Sequence, residues 1–244
     1  MRLITDKLLN QIIFVLCLIF SGVVWSEDAD IWQQDFENRL PGQIPEGWSK
    51  VWGCPLREDI FTTSNVEVLS GKRSLLLERQ YYNEKGQYGL GKLTPSLNAS
   101  MVKVVIPFLL KDSTAYGASF SILLRSTKNK DSTLAELRVA NGKTTFCNRK
   151  LKKFKELGKF ELGTWYRFVV KLPLEADGKN IGSAKFERRQ IDGSWKQYGD
   201  SSEVKTAFSI AKNRRLSIQI IPGTTGTFKL FIDDISVEQI TVKQ

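Results

Sequence analysis

Histidine does not occur anywhere in this chain of 244 residues. Its absence removes histidine-assisted serine and cysteine nucleophiles, imidazole metal ligands and imidazole general bases in one step. Cysteine is scarce: Cys17, Cys54 and Cys147 are the only three, and no Cys-x-x-Cys pair marks a thiolate zinc site. A retaining glycosidase needs two carboxylates about 5–5.5 Å apart, supplied by acids two residues apart on one strand face. No segment carries such a pair in the E-x-D-x-x-E form of laminarinase-like enzymes, and Glu136 and Glu187 are isolated strand acids. There is no recognition motif for nucleic acid, so no nucleic-acid partner is expected. No linker rich in proline, glycine and serine, no low-complexity tract and no long internal period divides the chain.

What is present begins with a leader-like stretch. Arg2 and Lys7 precede an apolar run, Ile12 to Val24, broken only by Ser21 and Gly22, and Val24 and Ser26 fit the small positions before a cleavage site. The pattern is that of a secretory signal peptide over residues 1–26, leaving 27–244 as a single domain, secreted or held in the periplasm or cell envelope. The alternative is an uncleaved anchor, although the apolar run is shorter than the ~20 residues a spanning helix prefers. Membrane contact is expected only through such an uncleaved leader or through surface association. After cleavage Cys54 and Cys147 remain, to form one disulfide or two buried thiols. The net charge of +10 suits anionic partners, or else a solvated basic surface.

Residues that are 41% hydrophobic provide for a real core, and their periodicity is that of strands. Thr227 to Gln239 reads as a long last strand, with Phe228, Leu230 and Ile232 on one side and Phe231, Ile235 and Val237 on the other. That pattern predicts a strand covered on both faces. Asp233 and Asp234 interrupt it, and at least one of them needs an edge, a backbone donor or a metal. Met101 to Leu110 predicts a central strand in which Pro107 requires an edge or a bulge. Asn141-Gly142 and Asp192-Gly193 predict tight hairpin turns. Val66 to Leu69 reads as a short strand, Tyr81 to Lys92 as an exposed loop, and Lys150 to Leu157 and Glu203 to Ala211 as possible sites of a short helical turn. About a dozen strands with frequent turn signals predict an all-β, antiparallel two-sheet sandwich.

Several short motifs then fall in order: DFEN (Asp35 to Asn38), PEGW (Pro45 to Trp48), SGKRSLLL (Ser70 to Leu77), GTWYRFVVKL (Gly163 to Leu172), the Asp192 hairpin and FIDDISV (Phe231 to Val237). With them the chain resembles the concanavalin A-like or laminin-G-like jelly rolls of exported bacterial proteins, and it is similar to jelly-roll carbohydrate-binding modules. The resemblance implies a jelly-roll sandwich and a glycan partner. It also implies a structural calcium joining first and last strands, with Glu37 and Asp233 or Asp234 as ligands and carbonyls of the Gly71 turn assisting. Calcium takes several hard oxygen ligands in irregular geometry. The alternative is that these acids pair with nearby arginine or lysine.

Glycan recognition needs aromatic faces and a few polar groups. The candidates are Trp52, Tyr81, Tyr82, Tyr88, Trp195 and Tyr198, with Trp48 closing one end of the sandwich. Strand alternation also turns Arg125, Arg138, Arg167, Lys185, Arg189 and Arg215 away from the core. If their strands adjoin in one sheet, they form a basic face suited to the carboxylate or sulfate groups of an acidic glycan; otherwise they are the solvated side of an antiparallel sheet. Arg149 to Lys155 is a basic cluster that could meet a polyanion or a membrane surface. A lyase could use Tyr116 or Tyr166 as base, with Arg138 and Gln219 neutralising the substrate carboxylate. No catalytic residue is assigned. The leading expectation is a non-catalytic glycan binder, for which an acidic polysaccharide is one candidate ligand. A polysaccharide lyase or glycoside hydrolase on the same fold, and an adhesion module that binds protein, are the alternatives.

Overall fold

The structure, a computed structural model, describes residues 31–51, 61–79, 89–111, 119–127, 133–140, 142–148, 153–174, 181–205, 215–223 and 227–240. The leader, Trp52, Cys54, Tyr81, Tyr82, Tyr88 and Tyr116 lie outside the described residues. Among the described residues there are sixteen strands and no helix: β1 (Ile31–Gln34), β2 (Ser49–Lys50), β3 (Phe61–Ser64), β4 (Ser74–Arg79), β5 (Leu90–Leu93), β6 (Met101–Lys111), β7 (Ser119–Ser126), β8 (Thr133–Ala140), β9 (Lys143–Asn148), β10 (Lys153–Lys159), β11 (Trp165–Pro173), β12 (Gly182–Arg189), β13 (Trp195–Val204), β14 (Leu216–Pro222), β15 (Phe228–Ile232) and β16 (Ile235–Ile240).

They form two antiparallel sheets. The nine-stranded sheet runs β13-β12-β11-β6-β15-β4-β3, with β16 also on β6 and β1 on β16; the seven-stranded sheet runs β10-β9-β8-β7-β14-β5-β2. Alternate residues of each strand enter a shared core. Val102, Val104, Ile106, Phe108 and Leu110 of β6 are buried against Phe120, Ile122 and Leu124 of β7 and Leu216, Ile218 and Ile220 of β14. Aromatic contacts bridge the sheets: Phe108 meets Phe120 edge-on at 5.4 Å, and Phe146 lies 6.2 Å from Phe168.

The last strand departs from its sequence pattern for a physical reason. Ile232 pairs with Phe108 and Ser236 with Val105, so Asp233 and Asp234 together stand opposite Pro107. This is a β-bulge, with Asp234 in the left-handed region at φ 47°. The extra residue restores parity. Phe228, Leu230, Ile232, Ile235 and Val237 all enter the core, and Phe231 alone joins Leu109 and Trp165 in a small cluster on the outer side. Period-two counting assigned the two halves to opposite faces because it cannot see an inserted residue. The bulge also accommodates Pro107, which lacks an N–H to give the neighbouring strand.

Other expectations shift in the same way. Residues 153–159 are the edge strand β10 because they pair along β9. Residues 90–93 are strand β5, where Gly91 lets Val51 come close: a Cβ there would sit 2.9 Å from Val51 Cγ2. The strand near Val66 is displaced to Phe61–Ser64. The hairpin glycines behave as predicted, with Gly142 at φ 72° and Gly193 at φ 83°.

Candidate functional site

The fork where β15 leaves β16 gathers the acids expected to hold calcium. Phe36 takes φ 62°, turning the chain after β1 so that Glu37 meets the loop before β4. Glu37 Oε1 accepts from the N–H groups of Lys72 at 2.7 Å and Arg73 at 2.8 Å, and the Arg73 guanidinium donates to the Glu37 carbonyl. Asp233 grips the same loop: its Oδ2 accepts from Leu69 N at 2.9 Å and Ser70 N at 3.2 Å, and its Oδ1 from Asp234 N at 2.9 Å. Asp234 Oδ1 accepts from Ser70 Oγ. Burial, and then the charge of Asp234, push the Asp233 carboxyl up to about 7 against these donors. Among the described residues no three metal-ligating side chains gather. Glu37 and Asp233 are turned to backbone amides and Asp234 to the Ser70 hydroxyl.

The outer side of the seven-stranded sheet carries a different arrangement. Register places Cys147, Glu136, Leu123, Gln219 and Gly91 in one row across β9, β8, β7, β14 and β5. The adjoining row holds Thr145, Arg138, Ser121 and Ile221, and the row on the other side Thr133, Arg125, Ser217 and Leu93. Although they point away from the core, Glu136 and Gln219 are 8% exposed and Arg125 5%. Ser121 Oγ donates to Glu136 Oε1 at 3.0 Å, and Gln219 Nε2 to Ser217 Oγ at 3.0 Å. Gln219 Oε1 is buried without a hydrogen-bond partner. With its amide turned round, the NH2 would lose its partner instead, so one end is unsatisfied in either orientation. Arg138 stands exposed beside this buried group.

A trough of about 620 Å3 lies on the outer side of the nine-stranded sheet. Val105, Pro107 and Val169 are among its lining, with Lys103, Lys171 and Lys185 around them and Arg167 held between Glu187 and Trp195. The Arg167 guanidinium lies 4.6 Å from the centre of the Trp195 ring. Burial works to raise the Glu187 carboxyl, but hydrogen bonds from Lys185 and Arg167 outweigh it and hold the group below its usual range.

The sequence-derived site residues therefore fall on two opposite outer faces. Arg138, and Arg215 just before β14, belong to the seven-stranded side, Arg167 and Arg189 to the nine-stranded side, so the six cations form no single basic face. Trp195 packs half-buried on the outer cluster of Leu109, Trp165 and Phe231. Tyr198 turns inward, against Tyr166 at 5.8 Å and Phe186 at 6.2 Å. Tyr166 is itself core, its hydroxyl accepting the Glu161 N–H at 3.0 Å, which removes it as a base. Cys147 is buried in the row beside Glu136; its expected partner Cys54 lies outside the described residues. Alternation marked Arg125, Glu136 and Gln219 only singly. Strand order, which brings them together, leaves no local trace in sequence.

No family model and no curated protein matches this sequence. Solved structures do match. A PL-14 alginate lyase from Aplysia kurodai aligns with a TM-score of 0.58 at 9% identity over 86% of this chain and 98% of its own. Cellulose-induced protein Cip1 gives 0.52 at 12% identity, covering 87% and 99%. Lectin II from Ulex europaeus gives 0.50 at 10%, covering 86% and 99%. The fold is a concanavalin A-like jelly roll. At these identities the likeness speaks for the fold alone.

Proposed function

We propose that this chain binds an acidic polysaccharide on the outer face of its seven-stranded sheet and does not cleave it. The observation that carries the reading is Gln219, whose side-chain amide is buried on an outward-facing row with one end unsatisfied. An unmet buried polar group costs on the order of 1–3 kcal/mol, a cost that a ligand hydroxyl donating to Oε1 would relieve, or, with the amide turned round, a ligand carboxylate accepting from the NH2. Arg138, in the adjoining row and two strands away across β7, supplies the charge that a uronate or sulfate substituent calls for. The solved structures that share the fold include a lectin and an alginate lyase by their names, which supports a carbohydrate ligand.

A second reading, cleavage by β-elimination, draws on the same pair, because Arg138 and Gln219 could neutralise a carboxylate beside the proton to be removed. Of the two tyrosines that the sequence offers as its base, Tyr166 is in the core and Tyr116 lies outside the described residues. The test mixes the mature protein with neutral, carboxylated and sulfated polysaccharides and follows retention and unsaturated-product absorbance together. Retention of an acidic polymer without product is expected, and Arg138→Ala should weaken it. Accumulating unsaturated product would establish the lyase reading, and retention of neutral polymers alone would overturn the acidic one.

A further inference from the structure

The trough on the nine-stranded sheet is not used by that reading, and its charges do not balance. Lys103 and Lys171 stand directly opposite each other on β6 and β11, where like charges on neighbouring strands repel at about 5 Å. The next row places Lys185 beside Val169, diagonal to Lys171. Glu238 answers Lys103 at 2.7 Å. Glu187 alone answers both Arg167 and Lys185. The remaining acid of the trough, Asp234, accepts from Ser70 Oγ. Lys171 is exposed and has no acidic partner among the described residues. Three ammonium groups thus surround a floor of Val105 and Val169, on the central strands of the sheet, with positive charge in excess.

We propose that this trough is a second anion site, taking a sulfate or carboxylate substituent of a polyanionic glycan among Lys103, Lys171 and Lys185. A charged substituent would supply the counter-ion that Lys171 lacks, and the apolar floor would keep competing water from its underside. The volume of about 620 Å3 falls in the range of ligand sites, ~300–1,000 Å3. The position has a consequence. The two faces lie on opposite sides of the sandwich, so one molecule can hold two polymer chains at once and cross-link them. The choice of a glycan as the source of the anion rests on the function proposed above; the excess charge does not.

The experiment titrates the mature protein with oligogalacturonate and with a sulfated maltooligosaccharide of matched length, and measures turbidity with the corresponding long polymers. Lys171→Glu and Arg138→Glu each reverse one exposed charge, and Lys171→Arg keeps it. Two sites per chain are expected for the acid-bearing arm that binds, one of them weakened at least tenfold by Lys171→Glu and the other by Arg138→Glu. Turbidity should appear only when both are intact and should survive Lys171→Arg. A single site indifferent to Lys171→Glu would overturn the trough and leave the first reading standing. A single site removed by Lys171→Glu and indifferent to Arg138→Glu would do the reverse. Absence of binding to either oligosaccharide would overturn both.

Discussion

The backbone N–H of Asp233 reaches the carbonyl of Pro107 at 3.4 Å across the bulge that joins β15 to β16. Each residue makes the other possible. Pro107 interrupts the ladder of a central strand, and the bulge takes up the interruption. The bulge in turn swings the Asp233 carboxylate out of the core and onto the amides of Leu69 and Ser70.

That carboxylate gives the fold a pH signature. Asp233 is fully buried, and its carboxyl titrates at about 7 when folded, against an ordinary value of 3.8. Between those values the native state keeps a proton that the unfolded chain has released, so stability falls as pH rises through the window and levels off above it. Urea midpoints are expected to be higher near about pH 5 than near about pH 8, with a smaller difference in Asp233→Asn. Asp233→Ala instead strips the acceptor from three N–H donors and should cost on the order of 2–4 kcal/mol at either pH. Thermal midpoints in calcium and in chelator should coincide, because the amides already satisfy Asp233 and Glu37.

Glu187 behaves with the opposite sign. Its folded pKa is held low, so its contribution is present above the ordinary carboxylate range and lost as pH falls through the folded value. Glu187→Gln leaves Arg167 and Lys185 without their shared counter-ion and should destabilise by roughly 2–4 kcal/mol at neutral pH. Denaturant melts of variant and parent should converge in acid, since the parent then loses the same charge.

The left-handed glycines sort by what surrounds them. At Gly71, φ 65°, a Cβ would sit 2.5 Å from Glu37 Oε1, and at Gly199, φ 79°, it would sit 1.7 Å from the Leu157 carbonyl. At Gly142, φ 72°, nothing lies within 4 Å. Gly142→Ala should therefore cost only the backbone strain, about 1 kcal/mol. Gly71→Ala should cost more, by roughly 1–2 kcal/mol, because the Glu37 clamp must move. Gly199→Ala should cost the most, because backbone of β10 and not a side chain stands in the way. A ranking in which Gly142→Ala is the worst would mean that contacts do not govern these sites.

Much of the architecture was legible. Alternation in β6, β7, β11 and β14 and the two hairpin glycines follow from the chemistry of single residues and their neighbours. The bulge was half legible: Pro107 called for an irregularity, but its partner lies more than a hundred residues away, and the parity of Ile235 and Val237 depends on it. Tyr198 was misplaced because aromatic character alone does not give its face: it is the fourth residue of β13, on the opposite side from Trp195. The division of the arginines between two faces was not legible at all, since Arg138 and Arg167 have the same local pattern and differ only in the sheet their strands join.

Gln219 offers the sharpest test, because stability and binding should move in opposite directions. Its Oε1 is a buried acceptor without a partner, and its Cγ already lies in van der Waals reach of the Gly91 position. Gln219→Leu keeps the approximate shape, removes the orphaned acceptor and forfeits only the hydrogen bond to Ser217, itself half-buried and able to reach water. The unliganded variant should gain on the order of 1 kcal/mol in a urea titration. The same change should weaken retention on an acidic polysaccharide at least tenfold, since the group that meets the ligand is gone. A variant that is more stable and binds as before would show that Gln219 faces no ligand. One that is less stable would show that its amide is satisfied in solution, and with that the observation behind the proposed site would be lost.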